Sequence, residues 1–452
     1  GEMKQAFEDL INDRQFSLVL KGFAPWLPKG VRNGLLRLAF TGVKTPLDFQ
    51  KRFMKPVVKY IIRKHTDGCT FDDSHLVDSG QWRVDSYDYQ SSTGSKAADK
   101  GVQGNHNYPL STVHSKQTDR YTFVSNHRDI VLDSAFLDVM LIDSGYPTTV
   151  EIGIGDNLLI YPWIKRLVRM NKAFTVRRGL SLRETLAASQ TMSRYIHYAV
   201  TQKKENIWIA QREGRAKDSS DHTQDAVLKM LAMGGPIVDS GQLTVDSGQL
   251  TVDSGQLTVD SYDYPASTDS KAESNHNCPL STIHSLTELN IVPLTISYEF
   301  DPCDYLKAQE FQQKRDNPAF KKSRQDDLDN MKTGIFGYKG RVVYRPAAPI
   351  NTWIDELREL PKTEFYKVLA ERMDREIHRG YELFPCNYIA LDELNGDAAN
   401  ASHYTEADKQ RFEKYLAGQL AKIQLPDKDE PFLRERILTM YANPVRNKLA
   451  AQ

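Results

Sequence analysis

The chain has 452 residues, 40% apolar and 26% charged, with Lys+Arg and Asp+Glu balanced at 59 each. That length allows about two or three domains, and the composition excludes a wholly disordered or collagen-like chain. Zero net charge excludes bulk nucleic-acid binding and leaves any basic surface local. Four cysteines (Cys69, Cys278, Cys303, Cys386) are too scattered for a disulfide framework and fit a reducing compartment. No apolar run reaches about 18 residues, so no membrane-spanning helix is expected. The opening GEMKQAFEDL has no apolar run and does not read as a secretory signal. The expectation is a cytoplasmic protein that meets a membrane only peripherally.

Residues 3–65 read as helical. Within them KRFMKPVVKYIIRKH (51–65) carries six cations and no acid, interleaved with Phe53, Val57, Val58, Tyr60, Ile61 and Ile62. A basic amphipathic helix of this kind suits an anionic lipid surface; a helix with its apolar side on the core fits the pattern equally.

Two segments repeat. VDSGQWRVDSYDY at 77–89 returns as VDSGQLTVDSYDY at 252–264, and NHNYPLSTVHS (105–115) returns as NHNCPLSTIHS (275–285). VDSGQLT also runs in tandem at 238–244, 245–251 and 252–258. Its apolar positions fall five and two apart with Gly and Ser between, which makes no coiled-coil seam and reads as low complexity. His106, His114, His276, His284 and Cys278 travel with the copies at spacings unsuited to a closed zinc site, so no metal is expected. The resulting map is an N-terminal helical region (1–76), a repeat insertion (77–115), a core in two parts (116–237 and 286–345) separated by a second insertion (238–285), and a C-terminal helical region (346–452).

In the core, YTFVSNH (121–127) predicts a short strand, AFLDVMLIDSG (135–145) a helix, and TTVEIGIG (148–155) a buried strand. LLIYPWIKRLVRM (158–170) predicts an apolar-basic helix and AFTVRR (173–178) a strand. SLRETLAASQTMSRYIHYAVTQ (181–202) predicts a long helix opened by a Ser181–Glu184 capping box. NIWIAQ (206–211) and NIVPLTISYEF (290–300) predict strands, with helices near 354–378, 405–422 and 429–441. Alternating strands and helices imply an α/β layer structure.

A polar cluster follows each of four predicted strands. SNHRDIVLD (125–133) sets a histidine after a strand with a carboxylate further on, an arrangement for a general base whose tautomer the carboxylate fixes. Arg177 and Arg178 close AFTVRR and suit bidentate contact with a phosphate. In QREGRAK (211–217), Gly214 lets backbone amides approach an anion between Arg215 and Lys217. The fourth strand ends in Tyr298-Glu299. Ligands in an open α/β sheet bind along this strand edge. HRD also matches part of a protein-kinase loop, but Ser134 stands where that loop needs Asn, and no Gly-rich loop or Asp-Phe-Gly accompanies it.

In order and residue type these clusters resemble the glycerol-phosphate and lysophosphatidate acyltransferases, closest to the glycerol-3-phosphate and dihydroxyacetone-phosphate branch. His127-Arg128…Asp133 is similar to the first block of that family. Phe174, Arg177 and Arg178 are similar to the second, Glu213-Gly214-Arg215-Ala216-Lys217 to the third, and Pro293…Tyr298-Glu299 to the fourth. The resemblance covers about 120–300 without the second insertion. Two departures stand out. Five residues, not the family's four, separate His127 from Asp133; either the helix start carries an extra residue or Asp129 takes the role, and Asp133 is the expected partner. The third block is one residue shorter than the family's longer form.

The resemblance implies a central mixed β-sheet flanked by helices and an acyl transfer from acyl-carrier protein or acyl-coenzyme A to a hydroxyl of a glycerol-phosphate-type acceptor. It implies His127 as general base and Asp133 as its orienting partner. Arg128, Arg177, Arg178, Glu213, Gly214 and Arg215 would bind substrate, and backbone amides near the start of the block-one helix would stabilise the oxyanion. No metal or cofactor is implied. Peripheral contact with an anionic membrane, on its inner face, is expected through 51–65 and WIKRLVRM (163–170). A lysophospholipid or amino-acid-lysolipid acceptor, a non-catalytic lipid-binding relative, and a hydrolase using the same histidine remain open.

Overall fold

The computed structural model describes residues 2–23, 25–76, 119–159, 161–177, 179–234, 252–253, 256–257 and 280–452. The chain begins with α1 (Glu2–Asn12), α2 (Arg14–Phe23), α3 (Lys29–Phe40) and α4 (Pro46–Phe49), which passes through a π turn at Gln50–Met54 into α5 (Lys55–His65). Then come β1 (Gly68–Phe71), β2 (Thr122–Ser125), α6 (Leu132–Asp143), β3 (Val150–Gly155), α7 (Pro162–Met170), β4 (Ala173–Val176), α8 (Leu182–Thr201), β5 (Asn206–Ala210) and α9 (Asp225–Ala232). Two-residue strands β6 (Val252–Asp253) and β7 (Gln256–Leu257) pair with each other. The second half holds α10 (Leu280–Glu288), β8 (Ile291–Tyr298), α11 (Asp304–Asp316), α12 (Arg324–Phe336), β9 (Arg341–Pro346), α13 (Lys362–Arg379), α14 (Pro385–Asn395), α15 (Glu406–Ala421) and α16 (Glu430–Ala450).

Among the described residues a seven-stranded mixed sheet runs in the order β1-β9-β8-β2-β5-β3-β4. The five strands from β8 to β4 are parallel, so all end on one edge, while β9 runs antiparallel to β8 and carries β1 parallel to itself. All eight residues of β8 are buried, as befits a strand covered on both faces. One face packs Phe123, Phe136, Val292 and Tyr344 with α5 and α6; the other packs Val124, Ile196, Leu228 and Leu286 with α8, α9, α10 and α13. Helices α14 to α16 close over α11 around Phe384, Phe412, Leu416 and Ile437. Phe7, Phe40, Phe49 and Phe53 stack in a smaller N-terminal core. Among the described residues no helix is long and apolar enough to cross a membrane.

Several expectations shift. Helix α6 begins at Leu132, three residues before the expected start, which brings Asp133 into its first turn. The basic segment 51–65 is a core helix: α5 buries Val58 and Ile61, and Lys55 and Lys59 both pair with Asp143 at 2.7 and 2.8 Å. In α7, Trp163 and Leu167 pack on the N-terminal core and Ile164 is buried, while Lys165 and Arg169 stay exposed. Residues 77–115 and 238–279 lie outside the described residues apart from β6 and β7, and with them His106, His114, His276 and Cys278. The last residues of the second copy are not insertion. They open α10, whose Ile283 is buried and whose Ser285 hydroxyl donates to Ala232 O at 2.9 Å.

Candidate active site

The edge where the five parallel strands end gathers the clusters. His127 follows β2, Arg177 follows β4, residues 213–217 follow β5, and Tyr298 closes β8. Arg178 lies outside the described residues.

Asp133 is fully buried, and four donors converge on its carboxylate. His127 Nδ1 lies 2.8 Å from Oδ2, which also accepts from the amides of Arg128 (2.7 Å) and Asp129 (3.0 Å), while the Tyr298 hydroxyl donates to Oδ1 at 3.1 Å. The Tyr344 hydroxyl, from β9, donates to the Asp133 carbonyl at 2.9 Å. The histidine ring is fixed from the other side by Trp208 of β5, edge to face at 5.5 Å between centroids. Trp208 Nε1 in turn donates to Ser125 Oγ at 3.0 Å. Asn126 ties the preceding residue to β8 with two bonds: its Nδ2 donates to Ile296 O (2.9 Å) and its Oδ1 accepts from Ile296 N (2.8 Å).

The extra residue between His127 and Asp133 is absorbed at the start of α6. Asp129 Oδ1 accepts from the amides of Val131 and Leu132, both at 2.8 Å, as a capping side chain does. Helix α12 lies so close behind it that a Cβ at Gly334 would collide with Asp129 Oδ2. Burial, with Asp133 nearby, raises the Asp129 carboxyl above its ordinary range. The two carboxylates thereby occupy the amides of residues 128, 129, 131 and 132, so these four are not available as the oxyanion donors expected at this helix start.

His127 opens onto a cavity of about 2290 Å³. One wall is apolar, with Leu35, Phe53, Val57, Ile61, Ile154 and Leu167 among its residues. Among the described residues eleven lysines and arginines line the cavity against four carboxylates, a balance that favours an anionic ligand. Arg177, Glu213, Gly214 and Arg215 all line it. Gly214 has φ +70, in the left-handed region that glycine tolerates, so the turn after β5 depends on it. Arg215 donates from Nη2 to Asn330 Oδ1 at 3.0 Å, while its Nη1 is buried with no hydrogen-bond partner among the described residues.

Lys307 and Lys322, from α11 and the loop before α12, join this end of the cavity. Lys307 pairs with Asp301 at 2.5 Å; Lys217, Lys314 and Lys322 share Glu310. Burial pushes Lys217 down to about 8 against the attraction of that carboxylate. Glu310 resists ionisation through burial, but hydrogen bonds from Lys217 and Lys322 hold it down to about 2. No spacing in the sequence links α11 to the third block; only the strand crossover does.

One expected ligand, Arg128, and the end of the fourth cluster, Glu299, point elsewhere. Arg128 is buried away from the cavity, bonded to Ser219 Oγ and set over the Tyr381 ring at 5.9 Å. Glu299 accepts from Arg341 Nε and Arg411 Nη1, each at 3.0 Å, and does not line the cavity.

A family profile described as Acyltransferase matches residues 102–238. That span holds His127, Asp133, Arg177 and Glu213–Arg215 and stops before β8. It supports the acyltransferase superfamily and an acyltransferase enzyme for this chain. No curated protein matches the chain.

Proposed function

We propose that this protein moves an acyl chain from a thioester, acyl-carrier protein or acyl-coenzyme A, to a hydroxyl of a glycerol-phosphate-type acceptor. The observation that carries the reading is the His127–Asp133 pair opening onto a cavity with an apolar wall and a cationic end. With Nδ1 committed to Asp133, His127 presents Nε2 as the base. It takes the proton of the acceptor hydroxyl as that oxygen attacks the thioester carbonyl. The tetrahedral oxyanion then collapses, the C–S bond breaks, and the thiolate leaves with the proton returned from Nε2. Asp133 keeps the ring in this tautomer and stabilises the imidazolium. The apolar wall accommodates the acyl chain. Arg177 and Arg215, the latter with a buried Nη1 that has no partner among the described residues, bind the acceptor phosphate, and Lys217, Lys307 and Lys322 add charge.

The test is an assay of purified protein with labelled acyl-coenzyme A or acyl-carrier protein and either glycerol phosphate or lysophosphatidate. Product requiring glycerol phosphate supports the reading. Product only with lysophosphatidate would move the acceptor class, thiol release without acceptor would make the protein a hydrolase, and no turnover would leave a lipid-binding relative.

A further inference from the structure

We propose that the outward face of α2, the tip at 25–28 and α3 docks on an anionic phospholipid bilayer. Residues 14–47 contain six cations (Arg14, Lys21, Lys29, Arg32, Arg37, Lys44) and no acid. Helix α3 packs Phe40 and Leu36 on the N-terminal core and carries a second apolar stripe on its outer side. Two of its polar residues turn inward, Arg32 Nη2 donating to Ser17 Oγ at 2.9 Å and Asn33 Nδ2 to Ile11 O at 3.2 Å. Its apolar residues Val31, Leu35 and Leu38, spaced one helical face apart, are 52%, 52% and 70% exposed. Trp26 at the tip is 75% exposed and Leu18 on α2 is 64% exposed. A lone exposed leucine is ordinary; five large apolar side chains on one hairpin mark an interaction surface.

Charge complementarity selects the partner. Arg14, Lys21, Lys29 and Lys44 are all exposed around this apolar stripe. Glu8 neutralises Arg37 at 2.8 Å, but the four remaining exposed cations, with tryptophan at the tip, suit lipid headgroups above acyl chains and disfavour a second copy of this surface. The surface is also continuous with the cavity: Leu27, Leu35 and Leu36 of the tip and α3 line the space that holds His127. A bilayer is the occupant that exchanges acyl chains with such a rim. This last argument rests on the acyl-transfer reading; the exposure and the charge do not.

The experiment is flotation of the full chain with vesicles, read without turnover. Vesicles of equal phosphatidylcholine and phosphatidylglycerol are expected to carry the protein at least roughly tenfold better than pure phosphatidylcholine. Trp26→Ser and Leu38→Ser are each expected to weaken this binding roughly tenfold, and Lys21→Glu with Lys29→Glu to abolish the anionic preference. None of these four side chains lines the cavity, so melting temperature and transfer to a soluble acceptor in detergent are expected to stay at the wild-type level. Undiminished flotation of the serine variants, or equal binding to neutral vesicles, would overturn the proposal. A dimer in light scattering that Leu38→Ser dissolves would overturn it in favour of a second copy. Vesicle binding without any transfer activity would leave this proposal standing and remove the enzymatic one.

Discussion

The Tyr298 hydroxyl reaches Asp133 Oδ1 at 3.1 Å across 165 residues of sequence. Through this bond the end of β8 supports the histidine's carboxylate, while Glu299, the next residue, braces the sheet border through Arg341 and Arg411. The fourth cluster thus acts on the site from behind, through Tyr298, and neither Tyr298 nor Glu299 lines the cavity.

Because His127 lines the cavity and Asp133 is buried behind it, the two should respond differently from Asp129. His127→Ala is expected to lower kcat by about 100- to 10,000-fold with little change in melting temperature. Asp133→Asn should cost much of that, since an amide nitrogen would face one of four donors. Asp129→Asn retains a capping oxygen and should leave kcat near wild type. Steady-state rates for the three variants check the order, and a larger loss at Asp129 would reverse the assignment.

Arg215→Lys keeps charge but loses the planar fork and the bond to Asn330. A rise of about tenfold in acceptor KM is expected, with the donor KM little changed; Arg177→Lys should act in the same direction more weakly, its side chain being exposed. Equal shifts for both substrates would mean that these arginines place the thioester.

The Glu310 cluster predicts a pH signature. Its folded carboxyl titrates near 2 against an ordinary value of 4.5, so the folded state binds fewer protons than the unfolded one between these values. The associated stability is fully present above pH 4.5 and is lost as pH falls toward 2. Glu310→Gln should flatten that acid limb in urea titrations across pH. Lys217, pushed down to about 8, loses its charge as pH rises through that value, so acceptor KM should climb there and Lys217→Gln should remove the climb.

The second insertion offers a boundary test. Deleting the tandem units 238–251 should leave melting temperature and activity nearly unchanged, since loop closure costs only about 0.6 kcal/mol per doubling of length. A Gly/Ser linker should replace residues only as far as 279. Carrying it through 285 removes buried Ile283 and the Ser285–Ala232 bond. Ile283→Ala alone should cost about 2–4 kcal/mol, measurable by chemical denaturation.

What the sequence discloses is local periodicity and polar residues at strand ends. The five parallel strands and α8 with its Ser181–Glu184 cap are visible for that reason. Strands β1 and β9 are not: β1 (GCTF) opens on glycine and buries no residue, and β9 (RVVYRP) carries two arginines and ends in proline. Helix α11 is hidden by its chemistry, because the residues it buries are Asp304, Lys307, Ala308, Glu310 and Gln312 and leave no apolar stripe. The same inversion concealed Lys307 from the site, and it hid the outward apolar face of α3. Tyr344 carries no signal at all; its part in holding Asp133 follows from sheet order alone.

The bond from Tyr344 to the Asp133 carbonyl spans 211 residues and sets a schedule for biosynthesis. At about 5–20 residues per second, roughly 10–40 s separate the ribosome's addition of the aspartate from its addition of the tyrosine. Through the greater part of that interval, until β8 is made, β2 lacks this neighbour and Asn126 has no strand to grip. A chain that stops before β8 therefore carries His127 without these anchors, and the centre forms only once β8 and β9 have both been made.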